Sequence, residues 1–158
     1  MGAGKKYARV LGFVATAINL GIYVIFAASM HSLTTSFMAL MPAEGEEPFR
    51  TDASIDPSTG AVALTFSTDV RNGGLLDIKA SLGLRLLSGA GEVIAEGADS
   101  ELVSPGSSGE LVVRMTIPRE DVERYSLETA KPTLSLSLEY RTFYNLIGMG
   151  ISTEVPFR

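Results

Sequence analysis

From Val10 to Ala43 the chain carries no formally charged residue: VLGFVATAINLGIYVIFAASMHSLTTSFMALMPA. Lys5, Lys6 and Arg9 precede this run, and Glu44, Glu46 and Glu47 follow it. A bilayer core about 30 Å thick takes roughly 20 apolar residues of α-helix, and Val10 to Met30 supplies that length without a proline. The stretch is therefore expected to be a transmembrane helix. Basic residues before it and acidic residues after it orient the amino terminus to the cytoplasm, so that the remainder crosses. The organisation read from this is a cytoplasmic basic tail (1–9), a transmembrane helix with an extended apolar juxtamembrane part (10–43), an acidic linker (44–48) and an extracytoplasmic domain (49–158). The chain is expected in the cell membrane as a single-pass protein.

A cleavable export signal is the rival reading, because Ala27, Ala28 and Ser29 are small residues at a plausible cleavage spacing. Two features favour the anchor. The apolar region exceeds the roughly 7–15 residues of a signal peptide, and apolar character continues beyond the cut at Leu33, Phe37, Met38, Leu40 and Met41. A helix from Val10 to Met41 would reach about 50 Å, longer than the bilayer core. It must tilt steeply, or its second part, HSLTTSFMALM, must leave the membrane and pack on protein. Pro42 is expected to end it. His31, the one histidine of the chain, falls at the interface as a headgroup-level polar residue.

Within the span the small residues Gly12, Gly21 and Ala28 permit close helix approach, and Asn19 places an amide near mid-membrane, where it seeks a partner on another helix. These four are the candidate helix-packing residues. The expected partners are the lipid bilayer and other membrane helices or copies of this one.

The first 43 residues hold only three charges, so the other ten basic residues and all eighteen acidic ones lie downstream, a net charge of −8 there. Such a surface repels nucleic acid and anionic headgroups. Beyond Pro48 the apolar period becomes two. In LDIKASLGLRL, Leu76, Ile78, Ala80, Leu82, Leu84 and Leu86 alternate with polar residues or glycine, as on a strand with one buried face. TLSLSLEYR repeats this with Leu134, Leu136, Leu138 and Tyr140. Shorter strands are expected at Ala61 to Val70, Glu92 to Glu96, Leu111 to Ile117, Gly150 to Val155 and Phe49 to Ile55. DPSTG, NGG, SGAG and SPGSSG between them are turn sequences, and Pro118 with an acidic first turn suits a short helix from about Arg119 to Tyr125, either a bridge between two sheets or a helical turn within a loop. The expected fold is mainly β: an amino-terminal transmembrane α-helix followed by an antiparallel immunoglobulin-like β-sandwich.

Val70 to Ile117 resembles the late-embryogenesis-abundant type 2 domain, also called the water-stress and hypersensitive-response domain. The matching features are Val70 and Asn72 at a strand end, an L-x-L strand over Leu82 to Leu86, a short strand ending in glycine over Gly91 to Gly97, and a strand over Leu111 to Ile117 after a polar loop. Gly73 stands where that family usually has proline. The resemblance implies an immunoglobulin-like sandwich without catalytic residues, often membrane-tethered in plant relatives, and it names no ligand.

Catalytic chemistry has few carriers. Cysteine is absent, which excludes thiolate nucleophiles and cysteine metal sites, and a Ser-His-Asp arrangement would have to recruit His31 from the membrane face. The carboxylates of EGEE and EDVE lack calcium-loop spacing, and GAGKK has no preceding strand. No enzyme activity, cofactor, metal or small-molecule substrate is expected. YRTFYNLIGMGI, with Phe143, Tyr144, Leu146 and Met149, is the candidate protein-contact segment, since exposed apolar clusters mark interaction sites. The opposing reading is the last core hairpin, with Gly148 and Gly150 permitting a bulge. The function expected is that of a non-catalytic, membrane-anchored accessory or scaffold subunit of an envelope or membrane complex. The alternative is a subunit of a pilus-like extracellular filament whose core is the apolar helix.

Overall fold

The computed structural model describes residues 3–39, 49–127 and 131–156, with side-chain surroundings along the amino-terminal helix described from Phe13 onward. That helix, α1 (Ala3–Met38), precedes seven strands. They are β1 (Arg50–Ile55), β2 (Val62–Arg71), β3 (Ile78–Leu87), β4 (Val93–Val103), β5 (Ser108–Ile117), β6 (Thr133–Thr142) and β7 (Ile147–Pro156). A short helix, α2 (Arg119–Arg124), lies between β5 and β6. Two antiparallel sheets, ordered β1-β2-β5 and β4-β3-β6-β7, form the immunoglobulin-like sandwich that the period-two segments foretell. In the constant-type arrangement the fourth strand joins the fifth; here β4 pairs with β3.

The apolar alternation explains the layering. Leu82, Leu84 and Leu86 of β3 and Leu138 and Tyr140 of β6 are buried, as are Leu64, Phe66 and Val70 of β2 and Leu111, Val113 and Met115 of β5. Burying a Leu, Val, Phe or Met side chain contributes about 1.5–3 kcal/mol, so this double layer is the main source of stability. Pro118 sits just before α2, which carries the chain from one sheet to the other.

Several boundaries differ from the sequence reading. The helix starts at Ala3, so Lys5, Lys6 and Arg9 are part of it, and it ends at Met38, ahead of Pro42. The linker at 44–48 lies outside the described residues. The fourth strand extends six residues beyond Gly97 to Val103. Its apolar alternation is muted because it is an edge strand in which only Val103 is fully buried, and a polar run such as Asp99-Ser100-Glu101 does not advertise a strand. Gly97 permits the close crossing, since a Cβ there would stand 2.7 Å from Val113 Cγ1. Asp99 Oδ2 then accepts the Val112 N–H at 2.8 Å, tying β4 to the facing sheet by a side chain. The expected bulge at Gly148 and Gly150 is not there: these glycines pair regularly with Arg141 and Glu139. The register shift falls instead at Leu86/Leu87. The four-residue turn at Phe143 to Leu146 makes the hairpin's change of direction without disturbing the ladder.

The β1–β2 turn is organised by Asp56, whose carboxylate accepts hydrogen bonds from Ser58 N at 2.8 Å, Ser58 Oγ at 2.6 Å and Thr59 Oγ1 at 2.9 Å. The Ser58 hydroxyl and amide, followed by the Thr59 hydroxyl, hold its pKa down at about 2, against an ordinary 3.8. A depressed carboxylate pKa stabilises the fold above the unfolded value and loses that contribution as pH falls through the folded one. Asp56→Asn is therefore expected to be less stable than the parent at pH 6, the gap closing as pH drops from about 4 towards 2. Urea midpoints at a series of pH values measure this, and a gap that persists unchanged at pH 2 contradicts it.

Candidate interaction site at the helix–sandwich junction

The hydroxyl-rich second part of the apolar run packs on protein. Ser29, Ser32, Leu33 and Ser36 fall at i, i+3, i+4 and i+7, one stripe of a helix, and all four are buried. Leu33 belongs to the sandwich core, and Phe37 packs against it. The stripe seats on the loop between β2 and β3. Ser32 Oγ donates to Ala28 O at 2.9 Å and accepts the N–H groups of Leu75 and Leu76 at 2.9 and 3.1 Å, which uses both lone pairs and its proton.

Asn72 is the hub beneath. It is fully buried; its Nδ2 donates to Leu76 O and Val103 O, both at 2.8 Å, and its Oδ1 accepts Gly74 N at 2.9 Å and the Ser36 hydroxyl at 3.5 Å. Its backbone bonds Ser107 O and Gly106 N in the β4–β5 turn. One amide thus joins the helix, the β2–β3 loop and the end of β4. Gly74 lets the two backbones meet: a Cβ there would lie 2.3 Å from Ser32 Cα.

The β6–β7 turn stands at the same end, since Thr142 pairs with Ile78 and its hydroxyl donates to Asp77 O at 2.7 Å. Phe143, Tyr144 and Asn145 all have positive φ, at 49°, 54° and 64°. Non-glycine residues there cost about 1–2 kcal/mol each. The outcome of that strain is presentation. Tyr144 is 90% exposed and Leu146 75%, while Phe143 and Met149 are half-buried and the two rings meet edge to face at 5.6 Å. The candidate contact segment is thus both the last hairpin and, at its tip, an exposed apolar loop.

The four candidate helix-packing positions separate. Gly12 lies on α1 where side-chain surroundings are not described; Asn19 and Gly21 are exposed, and a Cβ at Gly21 would meet nothing within 4 Å. Ala28 is half-buried at the head of the junction. From Phe13 through Phe26 the helix leaves large apolar side chains uncovered, Phe13 at 76% and Tyr23 at 73% exposure among them. His31 is exposed. Among the described residues no group of three or more His, Cys, Asp or Glu is placed to hold a metal ion. The sequence reading missed Asn72 and Gly74 as a socket; the signals available were the Val70-x-Asn72 pattern and the serines at helical spacing.

Beneath the junction, Tyr140 is wholly buried and its hydroxyl has no hydrogen-bond partner among the described residues, burial pushing its pKa up. An unsatisfied buried hydroxyl costs about 1–3 kcal/mol. Tyr140→Phe is therefore expected to match or exceed the parent in urea stability, whereas a loss above about 1 kcal/mol would reveal a partner.

No family model matches the chain. Nor does any curated protein. Among solved structures, a β-glucuronidase from Bacteroides uniformis superposes with a TM-score of 0.50 at 9% identity, covering 75% of this chain and 14% of that one. A protein from Archaeoglobus fulgidus gives a TM-score of 0.47 at 12% identity, covering 70% of this chain and 94% of that one. This chain spans only a small part of the glucuronidase, and at such identity the likeness concerns the fold alone.

Proposed function

We propose that this protein is a membrane-anchored, non-catalytic accessory or scaffold subunit, with α1 spanning the bilayer and the sandwich held outside to contact other proteins. The observation that carries the reading is the division of one helix: its apolar side chains stand uncovered from Phe13 to Phe26, while its last turns are buried against the sandwich. An uncovered helix this apolar demands lipid or other helices around it. The likeness of Val70 to Ile117 to the late-embryogenesis-abundant type 2 domain supports a tethered sandwich. The acidic surface beyond Glu44 supports protein contacts over nucleic acid.

The same uncovered helix also supports the filament reading, in which copies of α1 bury one another. Mature amino-terminal mass and alkaline extraction separate the cases. Intact Met1 in a membrane fraction that resists alkali supports the anchor, and cleavage near Ala8 to Val10 with recovery in sheared fibres supports the filament. Cleavage after Ser29 overturns both.

A further inference from the structure

We infer that the helix-proximal end of the sandwich is a membrane-contacting surface, its loop tips Leu75, Tyr144 and Leu146 seated among the headgroups of a zwitterionic lipid bilayer. The inference rests on the reading of α1 as a membrane span. The direction of the β2–β3 loop along the helix is the first support. Asn72 meets Ser36, Gly73 lies beside Thr35, and Gly74 and Leu75 meet Ser32, so the loop runs back along α1 towards its amino-terminal, apolar part. Leu75, bonded through its N–H to Ser32, is 66% exposed at this end of the loop.

The level is right as well. Burial against the sandwich begins at Ala28 and Ser29. Val10 to Met30 at about 1.5 Å per residue already fills the hydrocarbon core. Ser32 then sits within the headgroup layer, and the loop bonded to it sits there too. The β6–β7 turn occupies the same end and adds Tyr144 and Leu146, and it holds Phe143 and Tyr144 in the left-handed region in doing so. Tyrosine with its apolar ring and polar tip is suited to this layer. One row farther from the tips, Lys79 and Arg141 lie opposite each other on β3 and β6, both exposed, at the height where long basic side chains meet phosphates. Asp77 lies between Lys79 and Leu75, and Arg141 bonds Glu139 at 2.7 Å. This near-balance of charge points to zwitterionic lipid over anionic lipid.

The natural chain has no tryptophan, so single tryptophans report position cleanly. Tyr144→Trp, Ala90→Trp and Phe26→Trp in the full chain would be reconstituted into phosphatidylcholine vesicles, with and without lipid brominated near the top of its acyl chains. Ala90 is exposed in the turn at the opposite end of the sandwich. Tyr144→Trp is expected to emit blue-shifted light and lose most of it to the brominated lipid, while Ala90→Trp keeps a water-like, unquenched spectrum. Water-like, unquenched emission from Tyr144→Trp overturns the inference, as does equal quenching of Ala90→Trp. Phe26→Trp reports the span separately: quenched Phe26→Trp with unquenched Tyr144→Trp sinks the tip contact alone, and unquenched Phe26→Trp sinks the span.

Discussion

Gly74→Ala is expected to force α1 off the sandwich, whereas Gly73→Ala, one residue earlier, is expected to leave stability within about 0.5 kcal/mol of the parent. The space around each decides the difference. A Cβ at Gly73 would lie 3.7 Å from Thr35 Cβ, an ordinary contact, but one at Gly74 would lie 2.3 Å from Ser32 Cα. A flexible side chain moves aside for a methyl group; helix backbone does not. Overpacking costs about 1–3 kcal/mol where neighbours relax, and the upper end or beyond is expected here. Relief by separation would strip the Leu75 and Leu76 amides of Ser32 Oγ and uncover Leu33. Neither glycine has a φ in the left-handed region, so the comparison is one of space and not of backbone freedom. Thermal unfolding of the full chain in detergent should show a fall of about 6–12 °C for Gly74→Ala, at roughly 2–4 °C per kcal/mol for a chain of this length. Amide exchange at Leu75 and Leu76 should rise with it. Equal behaviour of the two variants would contradict the socket.

The second large effect is at Asn72. Asn72→Ala leaves the buried carbonyls of Leu76 and Val103 and the amide of Gly74 without their side-chain partner. Each such group costs about 1–3 kcal/mol, and a joint loss of roughly 3–5 kcal/mol is expected, in the range that marks a broken buried network. Asn72→Asp is nearly isosteric yet is expected to fare no better at pH 7, because an ionised carboxylate only accepts and both carbonyls need a donor. Urea unfolding measures both. An Asn72→Asp variant as stable as the parent at pH 7 would show that volume, not hydrogen bonding, matters at this site.

Sequence and fold agree most closely where one side chain in two must be buried. β3 and β6 are such strands, with Leu82, Leu84, Leu86, Leu138 and Tyr140 in the core, and their period is unmistakable. The uncharged run likewise announces an apolar helix, and its surplus length announces that something beyond lipid covers the end. What covers it is not local information. Asn72 and Ser36 are 36 residues apart, and neither residue type signals a socket without the other. The second half of β4, beyond the expected Glu92 to Glu96, hid for a related reason: in an edge strand in which only Val103 is fully buried, few positions must be apolar. β1 was visible as a short strand, but that it is exposed along its whole length depends on how far the facing sheet extends. The tip of the last hairpin was legible as apolar and aromatic; the choice between core and surface needed the turn's backbone.

The division of α1 bears on how partners meet this protein. The sandwich is not carried on a tether from the helix end; Ser32, Leu33 and Asn72 clamp the two together. A head joined in this way has lost its freedom to swivel before any encounter. With α1 in a membrane, as proposed, a partner in the same bilayer would meet every copy at the same height and tilt, free only to turn about the membrane normal, and that part of the rotational entropy lost on association would already be gone.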